Sequence, residues 1–244
     1  MTTLDAKMAD WLRHPSSSPG LTPKLFTGAG PLGGITNALK FGLSASAARQ
    51  RAAYVNQKLG VLRGWGLFAT SVYFSTGGDG DAFRTRAGVL ARWSSALLDA
   101  IDLCYVAELL NDDSGDVHLV LREGPNEDGN VLLQEQLASG YGFAPGRWME
   151  VGLAFETDTV GNVTLVTLAR SNGVVGGHTT FDINGTSWYT VGSVPISRYA
   201  ARASGAVGFQ IVAAAGEGYA QIGHFRALTT ATPSYTLLTD DITA

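Results

Sequence analysis

The 244-residue chain has one cysteine, Cys104. That excludes a disulfide within the chain and any cysteine-rich zinc site. No catalytic signature surrounds Cys104, so it reads as a small buried hydrophobe. The four histidines, His14, His118, His178 and His224, are dispersed without a His-x-x-x-His pair, which speaks against zinc. Proline is scarce at 8 residues, and the 31 glycines follow no three-residue period, so collagen is excluded and tight turns are indicated. No lysine occurs after Lys58, and no acid lies between Asp10 and Asp79. No apolar run approaches the roughly 18–20 residues of a membrane span. Met1-Thr2-Thr3-Leu4-Asp5 lacks the basic and apolar regions of a signal peptide. The expectation is a soluble protein made in the cytosol.

What is present is a core and a charge contrast. Hydrophobic residues make up 45% of the chain, enough for a sizeable interior. Residues 1–64 carry eight bases against two acids, a net of +6, whereas residues 65–244 carry nine arginines against nineteen acids, a net of −10. Such asymmetry predicts an arm and a body with different neighbours. Nucleic acid is a poor partner for so acidic a body.

Leu4, Met8, Trp11 and Leu12 fall at i, i+4, i+7 and i+8, which predicts a short amphipathic helix over 3–14, stopped by His14-Pro15. Three turns are marginal in water alone, so this apolar stripe is expected to dock on a partner as an assembly arm. A Pro/Gly/Ser-rich connector follows to residue 35. From about residue 36 the apolar period becomes two, as in Phe68, Thr70, Val72 and Phe74, or Met149, Val151, Leu153 and Phe155. About ten short strands separated by turn clusters such as Gly77–Asp81 and Asn111–Asp116 predict an all-β fold, an antiparallel sandwich of jelly-roll type. Its interior should hold Val72, Phe74, Val151, Leu153, Phe155, Val207 and Phe209. The expected organisation is a helix and arm over 1–35, a sandwich over 36–230 and a tail over 231–244.

Three stretches resemble one group of sandwiches. They are Gly88-Val-Leu-Ala-Arg-Trp93 with Tyr105-Val-Ala-Glu-Leu109, then Gly146-Arg-Trp-Met-Glu-Val-Gly-Leu-Ala-Phe155, then Gly205-Ala-Val-Gly-Phe209 with Tyr219-Ala-Gln-Ile-Gly-His-Phe225. Their order is similar to the concanavalin A-like lectin/glucanase fold, especially its laminin-G-like branch. Gly223-His224 departs from that pattern, where the group usually carries an acidic residue, and this weakens a metal assignment there. The resemblance implies either glycan binding or glycoside cleavage.

Glucanases of that group place closely spaced acids on one strand, because retaining chemistry needs carboxyls about 5 Å apart. Here Glu108 stands alone between Ala107 and Leu109, so it is the only acid to suspect, and a structural role is expected for it. The acidic turn with Asp112, Asp113 and Asp116 offers oxygen ligands to calcium, as do Asp79 and Asp81, but Val117 breaks the EF-hand pattern and a hairpin turn accounts for these residues. No cofactor is expected. Gly28-Ala-Gly-Pro-Leu-Gly33 matches a dinucleotide fingerprint formally but lacks its strand-turn-helix context. Trp93, Tyr105 and Trp188 are candidates for stacking against sugars. Together these readings predict a non-enzymatic structural or adhesion protein of a virus (phage) particle, partnered by other virion proteins, copies of itself or glycans. The alternative is a glycoside hydrolase, lyase or glycan-binding module of the same fold.

Overall fold

The computed structural model describes residues 11–13, 17–29, 35–44, 49–56, 66–93, 104–124, 130–171, 180–183, 186–197, 206–214, 217–228 and 236–237. The strands run β1 (Trp11–Arg13), β2 (Pro23–Ala29), β3 (Ile35–Gly42), β4 (Gln50–Asn56), β5 (Gly66–Phe74), β6 (Thr85–Trp93), β7 (Tyr105–Asn111) and β8 (Val117–Glu123). They continue with β9 (Asn130–Gln136), β10 (Trp148–Thr157), β11 (Val163–Ser171), β12 (Thr180–Ile183), β13 (Thr186–Ile196), β14 (Ala206–Ala213), β15 (Tyr219–Leu228) and β16 (Thr236–Leu237). All pairings are antiparallel, as expected from the period of two. One sheet has seven strands in the order β1-β4-β14-β6-β7-β8-β9. The other has nine, in the order β12-β13-β11-β10-β5-β15-β3-β2 with β16 beside β15. Among the described residues, helix is limited to two 3-10 turns, Gly77–Asp79 and Ser139–Tyr141.

The sheets face each other across one core. Strand alternation delivers Met149, Val151, Leu153 and Phe155 from β10, Phe68, Val72 and Phe74 from β5, and Tyr105, Ala107 and Leu109 from β7 to this layer. Every residue expected inside is there, each at most 1% exposed. Strand β7, apolar on both faces apart from Glu108, sits between β6 and β8 inside its sheet. Such strands need cover on both sides, and Cys104, Val106, Leu90 and Ala53 form a second buried cluster on the outer face. Cys104 is fully buried there, as a small hydrophobe.

The N-terminal segment requires a correction. No helix is seen where its end was expected: Trp11–Arg13 form β1 and pair with Tyr54–Asn56 of β4. The edge of β4 offers backbone hydrogen bonds to this segment. Trp11 is 5% exposed, with its ring 5.2 Å from Phe209 and 5.1 Å from Phe225. Burying that indole and satisfying an open edge outweighs a helix too short to hold itself. Leu4, Met8 and the side chain of Leu12 lie outside the described residues. The connector is also tied down. The Ser17 hydroxyl accepts from the Ala53 amide at 3.1 Å, the Ser18 amide donates to the Arg51 carbonyl at 2.7 Å, and Leu21 is 1% exposed. Strand β2 then pairs with β3 along its whole length. The expected boundary at residue 36 therefore falls within β3, and two strands of the sheets precede it.

Candidate functional site

A buried polar cluster lies on the outer face of the seven-stranded sheet. Glu108 projects there from β7, directly opposite Gly88 of β6 and Val120 of β8. Arg86 on β6 and Arg122 on β8 lie on the same face. The Arg86 Nη1 donates to Glu108 Oε1 at 2.9 Å, Arg122 Nε donates to the same oxygen at 2.7 Å, and Gln210 Nε2 of β14 donates to Oε2 at 3.2 Å. Glu108 and Gln210 are fully buried, Arg86 is 4% exposed and Arg122 8%. A carboxylate taken out of water survives only when charge and hydrogen bonds replace hydration, and two guanidinium groups plus an amide do so here. Gly88 makes room for the arrangement, because a Cβ there would lie 2.0 Å from the Ala107 carbonyl oxygen.

Beyond Arg86 and Arg122 the surface opens into a pocket of about 270 Å³, also lined by Arg84, Asp112 and Asp113. Arg84 sits at φ 48°, a left-handed turn conformation, and its Nη2 donates to Asp113 Oδ2 at 2.6 Å. Asp112 Oδ1 accepts from the amides of Ser114 and Asp116, while its Oδ2 meets His118 Nε2 at 2.9 Å. Burial pushes the Asp112 carboxyl up, but His118 and the two amides outweigh it and hold the carboxyl below its ordinary range. Asp113 is likewise held low by its hydrogen bond to Arg84. The calcium candidates Asp112 and Asp113 are thus engaged in the hairpin turn and its ion pairs. Asp81 accepts from Thr76 and the Gly77 amide. Among the described residues no group of three His, Cys, Asp or Glu, Asp116 and Asp79 included, is placed to hold a metal ion.

The aromatic candidates separate. Tyr105 is fully buried between the sheets, where no sugar reaches it. Trp188 is fully buried on the outer face of the nine-stranded sheet, packed with Leu67, Ala69, Ala154 and Leu168, and the Arg170 guanidinium lies 5.2 Å from its ring. The side chain of Trp93 lies outside the described residues. Glu150 is on that same outer face, 5% exposed and paired with Arg170, whereas Glu156 is exposed.

Sequence reasoning missed another aromatic group on this face. Tyr73 of β5 is paired with Gln221 of β15 and with Trp148 of β10. The Tyr73 ring stacks beside Tyr219 at 5.9 Å and tilts against Trp148 at 5.5 Å. Lys40 Nζ sits 3.5 Å from the Tyr219 ring centroid, and all four side chains are half-buried. Burial first, then Tyr73 and Asp79, push the Tyr219 hydroxyl up to about 12, so it stays a neutral donor at ordinary pH.

No protein-family model and no curated protein matches the sequence. Among solved structures the chain is similar to the legume lectin-like domain from Entamoeba histolytica, with 7% identity, a TM-score of 0.50 and 92% of each chain covered. It is similar also to the carbohydrate recognition domain of Emp46p in its potassium-bound form, with 8% identity, a TM-score of 0.50, and 93% of this chain and 92% of that one covered. A likeness to xylan β-1,4-xylosidase from Bacillus halodurans C-125, at 11% identity and a TM-score of 0.44, covers 78% of this chain but spans only 32% of that one. The fold is the concanavalin A-like lectin/glucanase sandwich.

Proposed function

We propose that this chain is a non-enzymatic, glycan-binding adhesion protein and a structural component of a virus particle. The observation that carries the non-enzymatic part is the state of Glu108. A general acid or nucleophile must touch the glycosidic bond, and Glu108 is fully buried with both oxygens engaged by Arg86, Arg122 and Gln210. Its cross-strand neighbours on that face are Gly88 and Val120, so among the described residues neither adjacent strand position supplies the second carboxyl of a glycosidase pair. The same geometry speaks against uronate elimination. The guanidinium and amide donors that would neutralise a substrate carboxylate are already held by an internal one.

Glycan binding is supported by the fold shared with a legume lectin-like domain and a carbohydrate recognition domain, and by half-buried aromatics on an outer sheet face. The particle setting is supported by the charge contrast between a basic first quarter and an acidic remainder, which favours packing against copies of the chain or other particle proteins. Sedimentation velocity tests that setting. At low ionic strength the purified chain should self-associate, and about 0.5 M salt, where screening acts within about 4–5 Å, should dissociate it. A strictly monomeric chain at every salt concentration and in the presence of its neighbouring particle proteins would count against it.

A further inference from the structure

We infer that the glycan-binding surface is the outer face of the nine-stranded sheet, and that its ligand is an acidic polysaccharide. This deepens the reading of the chain as a glycan-binding protein and rests on it.

Trp148 springs from β10, yet its Cζ3 and Cη2 atoms lie 3.6–3.7 Å from where a Cβ on Gly223 of β15 would stand. Strand β5 lies between β10 and β15, so the indole reaches over β5 toward a strand two spacings, about 9–10 Å, from its own. A side chain of that length can do so only by lying along the sheet instead of standing up from it. One indole face is then pressed on the sheet and the other faces outward, consistent with its half-buried state. The residues beneath are small. Ser71, paired with both Glu150 and Gly223, is fully buried, and Gly223 is buried. A glycine inside a strand marks such a close approach. An outward-facing indole is the flat apolar surface on which the C–H face of a pyranose ring stacks.

Polar groups converge beside it. Gln221 is 3% exposed, hydrogen-bonds the Tyr219 hydroxyl, and leaves its Oε1 buried without a partner. An acceptor left so is costly, and a sugar hydroxyl supplies the missing donor. The neighbouring strand positions carry two cations. Lys40 is paired with Gln221 and Lys24 is paired with Lys40, so both lie on this face, one and two strand spacings from Gln221. Lys40 rests on the rings of Tyr219 and Phe26, and Lys24 is exposed; neither has a carboxylate partner among the described residues. Two lysines with no carboxylate partner among the described residues, beside an open stacking surface, match a chain of sugars bearing carboxylate or sulfate groups. A neutral glycan would leave both lysines unmatched.

Affinity electrophoresis of the full chain through gels cast with polygalacturonate, alginate, or neutral dextran tests this. The acidic polymers should retard the chain, dextran should not, and rising salt should weaken the effect. Trp148→Ala should weaken retardation about tenfold. The double variant Lys24→Gln/Lys40→Gln, whose substitutions are at the surface and spare the core, should weaken it and flatten its salt dependence. Unfolding midpoints of all three proteins confirm that binding, and not folding, has changed. Equal retardation by dextran overturns the acidic class, and unchanged retardation of both variants overturns the face; either result leaves glycan binding itself standing. No retardation by any polymer overturns this inference together with the reading it rests on.

Discussion

Replacing Glu108 by glutamine separates a structural carboxylate from a catalytic one. The substitution keeps shape but removes the negative charge between Arg86 and Arg122, and turns one acceptor into a donor facing the donors of its neighbours. Two charge-assisted hydrogen bonds at about 1.5–3 kcal/mol each set the scale. Stripping one member from a buried ionic cluster typically costs about 3–5 kcal/mol, because the remaining charges stay buried without compensation. With a urea dependence of about 2–3 kcal/mol per molar for a domain of this size, the unfolding midpoint should fall by about 1.5 M. Replacing Arg86, Glu108 and Arg122 together by methionine, leucine and methionine should recover most of that loss, since no charge is then stranded. Equilibrium urea unfolding followed by tryptophan fluorescence reads both. A midpoint shift below about 0.3 M for Glu108→Gln would mean the carboxylate is solvated, and the structural reading of the cluster would fail.

Other substitutions probe neighbouring claims. Trp11→Ala should destabilise the fold by about 3–5 kcal/mol, because its indole fills the space against Phe209 and Phe225; a loss under about 1 kcal/mol would show that β1 is dispensable. Gly88→Ala should cost about 3 kcal/mol or more, since the new methyl would lie 2.0 Å from the Ala107 oxygen and 2.5 Å from Glu108 Cα; soluble protein of wild-type stability would contradict that packing. Asp81, Asp112, Asp113 and Asp158 are all held below the usual carboxylate range in the folded chain. Depressed folded values contribute stability that is present above about pH 4 and lost as pH falls through them, so the urea midpoint should drop between about pH 5 and pH 2; a midpoint that rises on acidification would reverse the sign.

Much of the fold is legible in the sequence because alternation survives wherever one strand face meets the core. Met149, Val151, Leu153 and Phe155 announce β10 and its orientation without help from distant residues. The N-terminal segment was less legible, because a few apolar residues at helical spacing also serve an edge strand, and only the open side of β4 decides between them. The surroundings of Glu108 were hidden for a different reason. Its partners lie 22, 14 and 102 residues away in the chain, so nothing near this solitary acid in sequence shows that arginines from both neighbouring strands seal it. Tyr105 and Trp188 carried a composition signal for sugar stacking that burial cancels, whereas Trp148 was read only as part of a structural motif. The available clue was Gly223, a glycine within an alternating strand where the resembling group carries an acid.

The most direct test of the account is to incubate the full chain with β-glucans, alginate and polygalacturonate, measuring polymer retention and release of reducing ends or unsaturated sugars together. The account predicts that alginate and polygalacturonate are retained, that β-glucans are not, and that no product forms from any of the three, all unchanged in a folded Glu108→Gln protein. Product formed by the wild type and abolished by Glu108→Gln would contradict it.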